Sequence, residues 1–316
     1  MKQGNFEQFD VVIIGGGAAG LMAAISAARA GAKVVILEHK EKTGKKILST
    51  GNGKCNYTNG KQDIACYRSE HPDFVIPVFE QFGFPETVAF FEEIGVTPKV
   101  KNGYYYPASE QATAVLEVLR LEANYLRVKE VCQCEIKSIK QSDDGFFLGT
   151  STGDYVGKSV IFATGLLAAP KSGSDGTIFP YIEKFGHHFI DVVPALVPLQ
   201  GKQAFFKQIA GIRAEIQADL YVENEKTASE YGELQLTDYG VSGIPIFQLS
   251  RYATKALKAG KKVHIMLDFL PHMSLEETVA LFEVSNHTIM IILVMKIFFV
   301  QFCVFFPPLL NIFCFY

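Results

Sequence analysis

The spacing G-x-G-x-x-G formed by Gly15, Gly17 and Gly20 points most directly to chemistry, because each glycine answers a need of a dinucleotide site. Gly15 allows a tight turn, Gly17 lets backbone approach a pyrophosphate, and Gly20 lets a helix pack closely on a strand. Ala18 and Ala19 fall at the start of that helix, whose free N–H groups and positive dipole end face phosphate. Glu38 closes the next apolar run and offers a carboxylate to ribose hydroxyls.

A second set of donors follows at once. In residues 40–59, Lys45, Lys46, Ser49, Asn52, Lys54 and Asn56 alternate with Gly44, Gly51 and Gly53. Backbone and side chains there can together wrap an anionic, planar ligand; a solvated basic loop is the competing reading. A third signal is VIFATG, residues 160–165, an apolar strand stopping where ligands bind in open α/β sheets. No second glycine fingerprint is present, which argues against a separate NAD(P)H domain and, with the loop, sharpens the dinucleotide to FAD. No Ser/His/Asp arrangement stands out, and the seven histidines lack metal-ligand spacing, so no metal is expected. Cys55 is the one thiol placed to relay electrons near a flavin, with small-residue packing as the alternative. The six cysteines are scattered and form neither a disulfide framework nor a zinc pattern.

These residues require a strand, turn, helix and strand in succession. Apolar runs at 11–14 and 34–37, either side of an Ala-rich stretch, supply them. Residues 73–95 carry apolar positions at helical spacing, with Pro85 starting a second helix. A helix over 109–125 is predicted with Ser109 as cap and Ala112, Val115, Leu116, Leu119 and Ala123 as its apolar stripe. Tyr104, Tyr105 and Tyr106 read as a strand or as a ligand-facing aromatic cluster. Residues 128–139, 146–150 and 155–162 read as strands, the first carrying Cys132 and Cys134 on one face. Beyond residue 199 come short β segments at 215–222 and 233–236. A Gly240/Gly243/Pro245 turn then leads into a helix over 246–257, followed by a strand over 262–267 and a helix from Ser274 to 282.

The segments VVIIGGGAAGLMAA, TGKKILSTGNGKCNYTN, VIFATG, HHFIDVVPALVPL and GELQLTDYGVSGIPIFQLS together resemble the BaiN/RdsA-type, aminoacetone-oxidase-like family of FAD-dependent oxidoreductases, across about residues 9–282. The resemblance implies an α/β fold: a glutathione-reductase-like FAD-binding Rossmann domain carrying an inserted β-barrel-like and helical domain. By it, Gly15, Gly17, Ala19 and Gly20 would take the pyrophosphate and Glu38 the adenosine ribose. Lys46, Ser49, Gly51, Asn52, Gly53 and Cys55 would lie along the cofactor. Ala163, Thr164 and Gly165 would pass close to it, and backbone at Ile136 would meet the adenine. The implied activity is hydride transfer to or from a small organic substrate, with NAD(P)H as a transient donor. One departure is Leu166, where the family often has a second glycine after ATG.

The chain of 316 residues is long enough for two domains, expected at 1–197 for the first part of the FAD-binding domain and 198–283 for part of the insert. A net charge of −3 gives no electrostatic reason to expect a nucleic-acid partner, and the absence of a signal-peptide pattern predicts a cytoplasmic body. Residues 284–316 break abruptly from this texture, with one lysine, no arginine and no acid. Residues 289–306 have the length and apolarity of a membrane span. The competing reading is an out-of-frame or read-through sequence in place of the family's C-terminal part, which would leave a truncated, non-catalytic remnant.

Overall fold

Continuous apolar strands build the centre of the first half of the chain, because strands covered on both faces have no solvent side for polar residues. The computed structural model describes residues 6–201, 205–274, 276–278 and 280. Contacts divide the chain into two compact units, Met1–Ile190 and Asp191–Tyr316. Along the first unit run β1 (Glu7–Ile14), α1 (Ala18–Arg29), β2 (Val34–Leu37), β3 (Thr58–Asn59), α2 (Ile76–Phe79), α3 (Phe84–Glu93), β4 (Pro98–Lys101) and β5 (Tyr104–Pro107). They are followed by α4 (Ala112–Tyr125), β6 (Lys129–Val131), β7 (Ile136–Ser142), β8 (Gly145–Thr150), β9 (Asp154–Phe162) and α5 (Phe179–Glu183).

Six of these strands form one sheet in the order β6-β2-β1-β9-β8-β7. The first four run parallel, while β8 and β7 continue antiparallel from β9. Register pairs Ile14 with both Leu37 and Phe162, so β1, β2 and β9 end level with one another. Alternation of side chains then separates two cores. Ile13, Val34 and Ile36 face Leu21, Ala24 and Ile25 of α1 and the stripe Ala112, Val115, Leu116, Leu119 and Ala123 of α4. Val12, Ile14, Val35 and Leu37 face the other way, onto Leu148, Tyr155 and Ile178. The stripe expected on α4 is buried at every position.

Two local expectations change. Ser109 does not cap α4; the N-cap is Gln111, and Glu110 before it takes a left-handed φ of 50°, which sets Ser109 outside the helix. Residues 128–139 are not one strand but two, β6 and β7, on opposite edges of the sheet. Between them Gln133 N–H donates to Lys40 O and Cys134 N–H to Glu38 O, each at 2.9 Å. The backbone there serves the loop after β2 instead of a ladder, so Cys132 and Cys134 share no strand face.

The second unit contains β10 (Leu199–Gln200), α6 (Phe206–Ile209), β11 (Arg213–Val222), β12 (Glu225–Thr237), β13 (Gly240–Gly243), α7 (Ile244–Lys258) and β14 (Val263–Asp268). Its five strands form an antiparallel sheet, β10-β13-β12-β11-β14. Alternate residues Ile216, Ala218 and Leu220 of β11, with Leu234, Leu236, Ile265 and Leu267, bury against Ile246, Leu249 and Ala253 of α7. Residues 191–200 belong to this unit: Lys258 pairs with Asp191 at 3.0 Å and Thr254 donates to Pro194 O at 2.6 Å. Ser274 and Glu277 exchange side-chain and backbone hydrogen bonds as a capping box, as a helix start at Ser274 requires. The continuation to residue 282 and the apolar stretch 284–316 lie outside the described residues. Among the described residues no helix is long and apolar enough to cross a membrane.

Leu220 is fully buried in the second core. Leu220→Ala is expected to cost about 2–5 kcal/mol in a urea titration, through lost burial and the cavity left behind.

Candidate functional site

The glycine turn between β1 and α1 is built by close contacts that only glycine permits. Gly15 has φ +98°, and a Cβ there would lie 2.7 Å from Ala163 O. A Cβ at Gly20 would come within 1.9 Å of Gly15 O, so this glycine lets the first turn of α1 sit on the loop that feeds it. Gly17 differs: a Cβ there would meet nothing within 4 Å. It is the helix N-cap, with no side-chain cap and no acid in the first turn of α1. The N–H groups of Ala18, Ala19 and Gly20 therefore have no carbonyl within the helix to receive them.

Glu38 fastens the turn from the side. Its carboxylate, 8% exposed, accepts Gly16 N–H at 2.7 Å and Lys40 N–H at 2.8 Å. Gly44 N–H donates to Gly16 O at 2.6 Å, and a Cβ at Gly16 would lie 2.5 Å from Thr43 Cγ2. Gly16, outside the three-glycine fingerprint, is thus also closely packed, though against a side chain where Gly20 meets backbone. The loop read as a wrapping segment is partly packed: Ile47 and Cys55 enter the core, and residues 47–53 form a 3-10 turn kinked at Thr50–Asn52.

A cavity of about 870 Å³ opens at the level ends of β1, β2 and β9. Of the residues singled out from sequence, Gly15, Gly17, Ala18, Ala19, Glu38, Gly44, Lys45, Lys46, Ile136, Ala163, Thr164 and Gly165 line it. Gly20 lies beneath the turn. Ser49, Gly51, Asn52, Gly53 and Asn56 are exposed and are not among the lining residues. Cys55 is buried away from the lining, and burial pushes its thiol up despite a hydrogen bond with Thr50, which keeps it protonated. The Tyr104–Tyr106 segment is strand β5, paired with β3 and β4, and does not line the cavity.

The walls also contain residues that sequence reasoning missed: His39 and Lys42 after β2, Cys134 before β7, and Ser174, Asp175, Thr177 and Tyr181 after β9. The run SGSDGT at 172–177, six residues beyond VIFATG, was the available signal, a small polar loop following a strand's carboxyl end. His39 bridges two walls, with Nδ1 3.6 Å from Glu38 Oε1 and Nε2 3.9 Å from Asp175 Oδ2. Burial pushes the Asp175 carboxyl up, but hydrogen bonds from the Thr177 hydroxyl and N–H, with the nearby His39, outweigh it and hold Asp175 below the ordinary carboxylate range.

Parallel strands ending in one cavity, a glycine turn ahead of α1 and an acid closing β2 define a Rossmann-type dinucleotide-binding α/β protein. The model of the family described as HI0933-like protein Rossmann domain matches residues 9–302, and the chain belongs to that family. It is 43% identical over 263 residues to the 3-dehydro-bile acid delta(4,6)-reductase of Clostridium scindens, covering 83% of this chain and 64% of that protein. It is 28% identical to the ribosomal RNA dihydrouridine synthases of Haemophilus influenzae and Escherichia coli, in each case over 85% of this chain and 66% of the relative. The chain thus spans just under two thirds of the length of the curated relatives it matches.

The glycine geometry separates two substitutions. Gly17→Ala is expected to leave the thermal melting temperature unchanged while its methyl obstructs the helix terminus and weakens dinucleotide binding. Gly20→Ala is expected to destabilise by about 1–3 kcal/mol through overpacking; paired thermal melts and ligand titrations read both. Because Asp175 is depressed in the folded state, its stabilising contribution is present above the ordinary carboxylate range and is lost as pH falls through its lowered value. In acid titrations from about pH 4 downward, Asp175→Asn is expected to remove that part of the acid sensitivity.

Proposed function

We propose that this chain is the dinucleotide-binding part of an FAD-dependent oxidoreductase that adds hydride to a carbon–carbon double bond conjugated with a carbonyl. The observation that carries the cofactor assignment is the open space at Gly17, where the uncapped N-terminus of α1 faces a cavity bordered by Glu38. The donor set fits an adenine dinucleotide. Free N–H groups suit the pyrophosphate, the Glu38 carboxylate suits ribose hydroxyls, and Cys134, Ile136, Ile178 and Tyr181 supply surface for the adenine. The cavity volume, about 870 Å³, falls in the upper part of the range for small-molecule sites. Bound FAD would supply the hydride-transferring ring.

The protein's share is to hold the adenosine end rigidly. Glu38 accepts from two backbone donors and keeps acceptor capacity for a ribose, while the apolar strand ends behind it exclude water from the inner wall. The reaction class draws on the relatives' names. A delta(4,6)-reductase of a 3-dehydro bile acid and a dihydrouridine synthase both describe saturation of a double bond conjugated with a carbonyl. Hydride would reach the carbon β to the carbonyl and a proton the α carbon. NAD(P)H is the proposed reductant; with a single glycine fingerprint in the chain, it would dock transiently.

The purified chain is expected to bind FAD at micromolar concentration, seen as a shifted visible spectrum and altered flavin fluorescence; no change would remove the cofactor assignment. With the flavin reduced anaerobically, a 3-oxo-4,6-diene bile acid and a uridine-containing RNA are each added. Reoxidation by one of them selects the substrate class. A flavin that stays reduced with both would overturn the reaction class and favour a non-catalytic dinucleotide-binding chain.

A further inference from the structure

One wall of the cavity is a continuous segment, residues 172–178. Its backbone hydrogen bonds are local: Ser172 N–H to Ala169 O at 2.9 Å, Gly173 N–H to Pro170 O at 3.0 Å and Thr177 N–H to Asp175 Oδ1 at 3.1 Å. Left-handed φ angles at Gly165 (73°), Ala169 (55°), Gly173 (118°) and Gly176 (77°) fold it back over the groove without a ladder. The attachment to the opposite wall is made by side chains. Lys46 Nζ, on the loop after β2, donates to Ala168 O at 2.8 Å and to Ser174 Oγ. The Ser174 hydroxyl, in a residue only 5% exposed, donates onward to Thr164 O at 3.0 Å. Gly165 makes room for this contact, since a Cβ there would lie 2.6 Å from Ser174 Oγ.

We propose that residues 166–177 are a strap over the dinucleotide groove and that Lys46 and Ser174 form its latch, positioning residues that set how fast the bound dinucleotide leaves. The proposal rests on the FAD reading above for its ligand and on the strap's own contacts for its mechanics. An elongated ligand cannot pass a wall that is held across the groove, and this wall is held by the hydrogen bonds of one ammonium, to Ala168 O and Ser174 Oγ, and by the approach of His39 to Asp175 at 3.9 Å instead of a sheet. Weakening these side-chain contacts leaves the local turns intact and loosens the segment, because no strand pairing has to be undone.

Two measurements on the full chain test it. In the ligand-free protein, Lys46→Met and Ser174→Ala are each expected to speed amide hydrogen exchange within 166–177 and leave the sheet unchanged; unchanged exchange in the segment would overturn the latch even if FAD failed to bind. In the FAD-loaded protein, each variant is expected to release flavin about ten-fold faster after a chase, the scale of one charged hydrogen bond. In the double variant the two effects are expected to be less than additive, because Lys46 and Ser174 share one hydrogen bond while each keeps a partner of its own, Ala168 O and Thr164 O. Additive effects, together with a flattened salt dependence of FAD affinity in Lys46→Met, would place Lys46 on the phosphates and overturn the proposal. Release rates within two-fold of the parent chain would do the same.

Discussion

The buried carboxylate of Glu38 is the constraint on which the site depends. A carboxylate at 8% exposure is costly unless every lone-pair direction that faces protein meets a donor, and here the donors are Gly16 N–H and Lys40 N–H. Satisfying it pins the glycine turn to the end of β2 and fixes where the loop after β2 departs. Gly44 N–H on Gly16 O and Thr43 against the bare Cα of Gly16 then lock that loop to the turn from the other side. Breaking any one of these hydrogen bonds leaves a donor or acceptor without a partner.

The sheet converts that local lock into a cavity. β1, β2 and β9 end level because their register pairs Ile14 with Leu37 and with Phe162, so three sets of loops leave the sheet at one height. The cores on the two faces hold this register. A one-residue slip would exchange the residues facing α1 and α4 with those facing Leu148 and Tyr155. The binding surface therefore inherits its geometry from strands that never touch a ligand, and the residues that vary the chemistry ride on the loops above them.

Much of this was legible in the amino-acid order alone because it is local. The glycine spacing, the acid at the end of β2 and the buried stripe of α4 are short-range patterns, the last dictated by helix period. What escaped was non-local. That residues 128–139 divide between two sheet edges, and that Ser109 stands outside its helix, follow from backbone donors at Gln133 and Cys134 finding carbonyls near Glu38 and from the left-handed Glu110. No period encodes such partners.

The same division separates the two halves of the candidate site. The order of residues by itself determined the class of ligand, because a turn packed on glycines at 15 and 20, a bare helix start at Gly17 and an acid closing the next strand are a chemical requirement written within thirty residues. Only the tertiary structure decided which other residues share the cavity. Ser174 and Asp175 reach Lys46 and His39 across more than 120 positions of sequence, and Cys55, within the basic loop in sequence, is drawn into the core. Hydrophobic burial and hydrogen-bond satisfaction act on positions in space, so neighbours along the chain part and distant ones meet.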